Sequence, residues 1–275
     1  MNKKIGIQGI RGSFHHLVAM DYYDNDVEVT EHFSFHDLAQ KLAAKETNEA
    51  VMAIENSIAG SILPNYALID EYNLSVIGEH YTPVNMNLMA LAGQKVQDIK
   101  KVYSHPMALL QCKEFFKQHP HIKLIEDTDT AEAARRISAE GKMKVAAVAS
   151  PVAAEMYGLE ILAKEIHTIK SNATRFLVLG TERQNSNGVQ LDKASLKFFL
   201  KSERGSLVSV LNILRDSYLS LTKIQSLPII DEPWKYSFFV DVIFERTEDF
   251  EKAIDVLKIM TEDLKILGIY KKNLS

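Results

Sequence analysis

The sequence predicts an α/β protein in two parts, a larger one built on mainly parallel sheet and a smaller β-α-β-β-α-β module. Up to about residue 180, short apolar strands alternate with amphipathic helices, which is the pattern of parallel strands joined by crossover helices. Beyond about residue 190 the order becomes strand, helix, two strands, helix and strand, the ferredoxin-like arrangement. The polar segment Q-N-S-N-G-V-Q at 184–190 separates them. We therefore expect two domains with a boundary near residue 190.

The first part contains seven short apolar runs that predict strands, and the segments between them show helical spacing. Ser34, followed three residues later by Asp37, indicates a helix N-cap with an acidic first turn. The run F-L-V-L at 176–179 predicts a further buried strand. The other predicted strands are 4–8, 27–31, 51–55, 88–92, 101–104, 122–126 and 145–150, and the predicted helices are 34–45, 57–71, 106–118, 129–140 and 151–157.

The second part begins with S-L-K-F-F-L, which alternates as a strand does, and continues with a segment of helical spacing. Its last predicted helix places Phe250, Ile254, Leu257 and Leu264 on one apolar stripe. The predicted strands are 195–200, 219–224, 236–244 and a short one near 268–271, and the predicted helices are 205–215 and 248–264.

Bulk composition is that of an ordinary soluble globular protein. The 275 residues are 46% hydrophobic and 25% charged, with a formal net charge of −4, so nothing favours nucleic acid or an anionic membrane as a partner. The apolar runs are far shorter than the roughly 18–20 residues that span a bilayer, and Met1-Asn2-Lys3-Lys4 leads into I-G-I-Q-G without the pattern of a signal peptide. The single cysteine, Cys112, excludes an intrachain disulfide. We therefore expect a cytoplasmic protein.

Hydroxyl and amide residues follow several of the predicted strands at the point where a helix begins. In open α/β sheets, ligands bind outside the carboxyl ends of the strands, where helix N-termini present unpaired N–H groups to anions. The pattern therefore favours a cleft for a small carboxylate, although the same residue types are also ordinary N-caps. The five junctions are G-I-R-G-S (9–13), E-N-S (55–57), S-H-P (104–106), D-T-D-T (127–130) and S-P (150–151).

The sequence gives little support for a metal site, a nucleotide-binding site or a nucleophilic serine or cysteine. The nine histidines, including the adjacent His15 and His16, do not cluster with cysteines or carboxylates at metal-ligand spacing, and we expect them to be surface or core residues. Cys112 lies in a helical pattern and is expected to pack rather than react. The sequence contains no phosphate-binding P-loop, no G-x-G-x-x-G and no G-x-S-x-G. We therefore expect a site without metal or cofactor.

The stretch S-N-A-T-R-F at 171–176 places an amide, a hydroxyl and a guanidinium at the entrance of a buried strand. Together with five other motifs in the same order, it resembles the prephenate dehydratase family over nearly the whole chain. The other motifs are G-I-R-G-S-F (9–14), A-I-E-N-S-I-A-G-S (53–61), V-Y-S-H-P-M-A-L-L-Q-C (102–112), T-A-E-A-A (130–134) and A-A-V-A-S…A-A-E-M-Y-G-L (146–159).

The resemblance implies a catalytic domain over 1–183, a linker over 184–192 and a regulatory ACT domain over 193–275. The catalytic domain is expected to resemble a type II periplasmic binding protein, with two α/β lobes around a cleft. One lobe would comprise 1–79 and 165–183, and the other 80–164.

The resemblance also implies an activity, the loss of water and CO2 from prephenate to give phenylpyruvate. Thr174 would donate a hydrogen bond to the departing hydroxyl. Asn56, Ser104 and Gln111 match family positions at the site, and Gln111 follows Ser104 by about two helical turns, so both are expected to face the cleft. Arg175 would either pair with a substrate carboxylate or brace the site from behind. The expected substrate-binding residues are Gly12, Ser13, Glu55, Ser57, Asn172 and Phe176.

The second domain departs from the family at its expected phenylalanine effector site. Gln225 stands where glutamate is usual and Leu227 where arginine is usual, so that both members of a charge pair are replaced together. This predicts weakened inhibition by L-phenylalanine or an altered effector preference. The expected effector residues are Gly205, Ser206, Leu207, Gln225 and Ser226.

The catalytic domain also departs from the family at one position. Met86 stands where a histidine is often seen, which bears on lobe packing.

Two alternative functions stay open at this stage. Arogenate dehydratase performs the same elimination on the transaminated substrate, and a catalytically silent amino-acid-binding regulator would use the same folds. The intact T-R-F around Thr174 argues against the silent regulator. The second domain suggests self-association, so a homodimer or homotetramer is expected.

Overall fold

The structure is a computed structural model that describes residues 3–183, 190–200, 203–229, 232 and 235–273. Most of the predicted linker at 184–192 lies outside the described residues. In the ranges described, no helix has the length and apolarity needed to cross a membrane.

Strands and helices alternate through the first two-thirds of the chain, and the last third has the predicted strand-helix-strand-strand-helix-strand order. The strands in the described ranges are β1 (Lys3–Gln8), β2 (Val27–His32), β3 (Glu49–Asn56), β4 (Gly60–Ser61), β5 (Ser75–Pro83), β6 (Asn87–Ala90), β7 (Lys101–Ser104), β8 (Lys123–Glu126), β9 (Val145–Ala149), β10 (Glu160–Ala163), β11 (Ala173–Gly180), β12 (Lys193–Phe199), β13 (Ser220–Pro228), β14 (Tyr236–Ile243) and β15 (Glu262–Tyr270). The helices are α1 (Phe14–Tyr22), α2 (Phe35–Ala43), α3 (Leu63–Glu71), α4 (Pro106–Gln111), α5 (Lys113–Lys117), α6 (Thr130–Ala139), α7 (Pro151–Met156), α8 (Ser206–Asp216) and α9 (Thr247–Met260).

The first sheet has the order β2-β1-β3-β11-β5, with β4 paired to the end of β3. β1 is parallel to β2 and β3, whereas β11 runs antiparallel to β3 and β5. Successive residues of a strand point to opposite faces. Val51 and Ala53 accordingly pack with α1, while Met52 and Ile54 pack with α2 and α3. Because both faces are covered, β3 is a nearly continuous apolar run.

The second sheet has the order β10-β6-β9-β7-β8 and forms a separate lobe. The chain crosses from the first sheet to the second after β5 and returns between β10 and β11. The predicted lobe division at 79/80 is wrong, because β5 continues to Pro83 and was not among the predicted strands. The predicted second crossing, near 164/165, lies within the observed return segment.

Two predicted helices have different bounds in the structure. The helix predicted at 57–71 begins at Leu63, because the preceding residues form a turn whose Ile58 and Ala59 N–H groups donate to Asn56 Oδ1. The helix predicted at 248–264 ends at Met260, because the chain from Glu262 onwards pairs with β12. Leu264 therefore belongs to β15 rather than to the helical stripe.

The third sheet forms the predicted β-α-β-β-α-β module, with the antiparallel order β13-β14-β12-β15. α8 and α9 cover one face. The other face packs on the first lobe, where Leu227, Phe239 and Leu267 join the apolar cluster of Tyr66 and Val76. The ring of Tyr66 meets that of Phe239 edge-on with centroids 5.3 Å apart. The module and the first lobe thus share one apolar core.

Gly268 allows β15 to approach β5 closely. A Cβ atom at this position would lie 1.8 Å from the Val76 carbonyl oxygen, a backbone atom that cannot move independently. We expect Gly268→Ala to lower the free energy of unfolding by about 1–3 kcal/mol, because the two strands must separate. Urea unfolding followed by tryptophan fluorescence and circular dichroism measures this loss.

Gly180→Ala is the matched control, because a Cβ there meets no atom closer than 3.6 Å. Equal losses of stability in the two variants would contradict the close approach of β15 to β5.

Candidate active site

A cleft of about 320 Å³ lies between the two lobes. It lies at the carboxyl ends of β1 and β3, at the beginning of β11 and at the first turns of helices from both lobes. The lining includes, from the first lobe, Ser13, His15, Asn56, Thr174 and Phe176, and from the second lobe His105, Gln111 and Asp129.

Thr174 and Asn56 form a cross-strand pair at the cleft. β11 and β3 pair with Thr174 opposite Asn56, and Asn56 Nδ2 lies 2.9 Å from Thr174 Oγ1. The amide orientation of Asn56 is fixed, because its Oδ1 accepts the backbone N–H groups of Ile58 and Ala59. Asn56 therefore donates to the Thr174 oxygen, and this hydrogen bond does not use the hydroxyl proton of Thr174.

Asn172 and Gln111 extend this hydrogen-bonded chain to the second lobe. Asn56 Nδ2 also donates to Asn172 Oδ1 at 2.7 Å, and Asn172 Nδ2 donates to Gln111 Oε1 at 3.1 Å. Ser57 Oγ accepts the Ala173 N–H at 3.0 Å, which ties the turn after β3 to the start of β11. Asn172 and Ser57 support the Asn56–Thr174 pair but do not line the cleft, whereas Gln111 does.

Arg175 and Glu55 point away from the cleft. They are the next residues along β11 and β3, are paired with each other in register, and lie on the opposite face of the sheet. Glu55 forms an ion pair with Lys223 of the module, whose Nζ also donates to Ser61 Oγ at 2.6 Å. The expectation that Glu55 binds substrate is therefore wrong. Arg175 lies behind the site, on the side of the sheet that faces the module.

The Arg175 guanidinium, only 5% exposed, is the centre of a buried ion cluster between the first lobe and the module. Its Nε donates to Glu79 Oε2 at 2.8 Å, its Nη1 to Asp241, and its Nη2 to Tyr270 Oη at 3.1 Å. Lys193 Nζ donates to both Glu79 oxygens at 2.8 and 2.9 Å. Two cations and two carboxylates thus neutralise each other.

The surroundings fix the protonation states of Arg175 and Tyr270 in this cluster. Burial alone would lower the pKa of Arg175, but the nearby Asp241, Tyr270 and Glu79 hold it well above its ordinary value. Burial and the Asp241 charge raise the pKa of Tyr270, which stays a neutral hydroxyl. Ser195 Oγ donates to the second Asp241 oxygen at 2.6 Å.

Ser104 and Gly12 do not have the roles expected from the sequence. Ser104 is fully buried, and its Oγ donates to the Val148 carbonyl of β9 at 2.6 Å, so it ties β7 to β9 instead of facing the cleft beside Gln111. The Gly12 N–H is bonded to His16 Nδ1 at 3.1 Å and is not available to an anion. Ser13 lines the cleft and caps α1, its Oγ accepting the His16 N–H.

The expected effector residues lie on the module, away from the cleft. Gly205 has a positive φ of 84° and precedes α8, in which Ser206 and Leu207 occupy the first turn. Gln225 Nε2 donates to the neighbouring Ser226 carbonyl at 2.9 Å. Leu227, which replaces the usual arginine, is buried in the core shared with the first lobe.

Sequence reasoning gave no site role to several residues of the cleft, His105 among them. His15, taken as a surface or core residue, lines it, and so do Asp129 and Met86. Burial raises the pKa of the Asp129 carboxyl, while its Oδ1 accepts the Ala131 and Glu132 N–H groups at the start of α6. Burial lowers the pKa of His15 to about 3, so its imidazole is neutral at physiological pH. The positions of Ser13 and Asp129 at predicted strand-to-helix junctions were the available signal.

Cys112 is buried in the second lobe, as its helical pattern predicted. Burial raises the pKa of its thiol to about 12. It is therefore a packing residue and not a nucleophile.

The buried ion cluster predicts a large loss of stability when one charge is removed. Asp241→Asn leaves Arg175 with one carboxylate fewer in a site that excludes water, and we expect a loss of about 3–5 kcal/mol in unfolding free energy. Chemical denaturation measures it.

Asp255→Asn is the matched control, because Asp255 pairs with Lys258 on the exposed face of α9. Its loss should stay within about 0.5 kcal/mol. Similar stabilities of the two variants would show that the cluster is not essential to the docked module.

Comparison with known proteins identifies the family. The family model described as prephenate dehydratase matches residues 5–184, which covers both lobes. A bifunctional chorismate mutase/prephenate dehydratase of Enterobacter agglomerans is 33% identical over 272 residues, which are 97% of this chain and 70% of that protein. An Arabidopsis thaliana protein named arogenate dehydratase/prephenate dehydratase 2, chloroplastic, is 34% identical over 279 residues, which are 97% of this chain and 72% of that protein.

Two solved structures that share this architecture are described as proteins of different activity. GqqA, described as a novel type of quorum quenching acylase, superposes with a TM-score of 0.89 at 25% identity and 98% coverage of both chains. The prephenate dehydratase of Arthrobacter aurescens in complex with L-Phe superposes with a TM-score of 0.86 at 23% identity, over 98% of this chain and 89% of that chain. The family model and the full-length relatives agree with the motifs around the cleft, and this chain belongs to the prephenate dehydratase family.

Proposed function

We propose that this chain converts prephenate to phenylpyruvate, CO2 and water, with Thr174 as the hydrogen-bond donor to the leaving hydroxyl. The observation that carries the proposal is the Asn56–Thr174 hydrogen bond at 2.9 Å, which leaves the Thr174 proton for an acceptor in the cleft. In this reaction the bond between the ring carbon and its carboxylate breaks, its electron pair completes the aromatic ring, and the C–O bond on the opposite side breaks. The departing oxygen gains negative charge and takes up a proton to leave as water.

The Asn56–Thr174 pair suits this step because it stabilises charge where it develops. A threonine hydroxyl is a poor acid, so its contribution is a preoriented hydrogen bond to the departing oxygen. Asn56 holds Thr174 in place, and Asn172 and Gln111 hold Asn56. Of the described residues that line the cleft, none is lysine or arginine. The two carboxylates of prephenate would therefore be bound by neutral donors, including the first-turn N–H groups of α1 that Ser13 does not cap.

The acylase description of one structural relative suggests a hydrolase as a competing function. Acyl transfer needs a nucleophile that is hydrogen-bonded to a base. No serine or cysteine of the described cleft lining donates to a histidine side chain, and Ser13 Oγ serves as the cap of α1. The observed hydrogen bonds favour the elimination.

Replacing Thr174 tests the proposed chemistry. Thr174→Val keeps the shape of the side chain and removes the donor, and we expect kcat for phenylpyruvate release from prephenate to fall by roughly 10²- to 10⁴-fold. Thr174→Ser keeps the hydroxyl and should retain most of the activity. Wild-type protein without turnover of prephenate, or a valine variant with unchanged kcat, would contradict the proposal.

We further propose that the module is the regulatory domain and that its control by L-phenylalanine is weakened. The Gln225 amide is engaged by its own strand, and Leu227 is buried against the first lobe, so neither presents a charge to an amino acid. Sheet-edge strand β13 exposes Leu221 and Ile224, which supports association of modules in a homodimer or homotetramer. The buried thiol of Cys112 is compatible with a cytoplasmic protein.

The effect of L-phenylalanine can be measured directly. We expect little change in the rate of prephenate turnover and no tight binding by titration calorimetry, because the charge pair is replaced. Gln225→Glu restores the usual glutamate and tests whether its charge is needed for control by L-phenylalanine. Gln190→Glu, which lies outside β13, is its control. Tight, stoichiometric binding of L-phenylalanine to the wild type would refute the weakened control.

A further inference from the structure

His15 is a buried residue of the cleft whose Nδ1 forms no hydrogen bond with the described part of the chain. The imidazole is 8% exposed and lies between the rings of Phe35 and Phe176, with centroids at 5.4 and 5.0 Å. Its Nε2 accepts the backbone N–H of Ala53 at 3.2 Å. The residue lines the cleft.

The Ala53 hydrogen bond determines the tautomer of His15. In a neutral imidazole one nitrogen is a donor and the other an acceptor. Because Nε2 accepts, the proton is on Nδ1, and burial keeps the ring neutral down to about pH 3. Nδ1–H has no hydrogen-bond acceptor among the described residues. A ligand oxygen placed there would accept a hydrogen bond from a donor that the Ala53 contact already orients.

The position of His15 relative to Thr174 places this donor at the other end of the substrate. His15 contacts Phe176, and Phe176 and Thr174 point to the same side of β11, two residues apart. Two residues of an extended strand span about 7 Å, comparable with the length of a para-substituted six-membered ring. If the hydroxyl of prephenate binds at Thr174, the opposite end of the ring, with its carboxylate and pyruvyl arm, would point towards His15.

We propose that His15 Nδ1–H donates a hydrogen bond to the keto oxygen of the pyruvyl arm and makes the enzyme select the keto acid prephenate over the amino acid arogenate. The inference rests on the proposed function and adds its substrate preference. A keto oxygen accepts a hydrogen bond, whereas an ammonium group has only donors and would face a donor. The fixed tautomer prevents His15 from adapting to the ammonium, because turning Nδ1 into an acceptor would strand the Ala53 N–H.

Two variants of His15 test the roles of its two ring nitrogens one at a time. His15→Asn places an amide near the position of Nδ1 and keeps a donor there, while it loses the acceptor for Ala53. His15→Gln reaches Ala53 and loses the donor at the Nδ1 position. We expect the ratio of kcat/KM for prephenate to that for arogenate to fall about 10- to 100-fold in His15→Gln and to change little in His15→Asn.

The ratio is measured on one preparation of each variant, so a loss of folded protein cancels. An equal loss on both substrates in His15→Gln would show a packing role and overturn the inference. So would a wild-type preference for arogenate, which would point to Asp129 as the partner of the ammonium. Wild-type turnover of prephenate with an unchanged ratio in His15→Gln overturns this inference alone. Absence of turnover of either substrate by the wild type overturns the proposed function and the inference together.

Discussion

The buried guanidinium of Arg175 is the constraint on which both the cleft and the docked module depend. Its planar donors reach one carboxylate in the first lobe, Glu79, and one in the module, Asp241. A charge removed from water is tolerated only when it is paired and hydrogen-bonded, and here Lys193 supplies the second cation. Separating the module from the lobe would leave Arg175 with Glu79 alone, and Lys193 and Asp241 would lose their partners across the interface. The cluster therefore selects one docked arrangement over others, whatever its net contribution to stability.

In the pairing of β3 with β11, the residues that contact this cluster are immediate neighbours of the residues that line the cleft. Asn56 and Thr174 form one cross-strand pair, and Glu55 and Arg175 form the next, facing the other way. The module contacts both members of the second pair, through Lys223 and Asp241. A shift of the module relative to the first lobe would thus move the two strands that hold the donor to the leaving group. The module and the cleft are thus linked through two successive residue pairs of β3 and β11.

The sequence predicted most of the fold and only part of the site, for physical reasons. Apolar periodicity located most strands and helices but not α1, β4, β5 or β10. β5, S-V-I-G-E-H-Y-T-P, mixes charged and apolar residues because Glu79 is needed in the buried ion cluster. Strand alternation could have separated Thr174 from Arg175, since neighbours on a strand face opposite sides. The burial of Ser104 against the Val148 carbonyl, and the partner of Gly12, depend on contacts between distant segments that no local pattern encodes.

The composition of the cleft agrees with the charge movement of the proposed reaction. As CO2 is lost, negative charge leaves the ring carboxylate and develops on the departing oxygen. A cation bound to that carboxylate would stabilise the starting state more than the transition state and slow the step. The described lining instead offers neutral donors, and Thr174 and His15 are fixed by Asn56 and Ala53 before substrate arrives. Donors that need no reorganisation are most effective where charge appears, so the proposed mechanism assigns the catalytic gain to Thr174 and the selection of the substrate to His15.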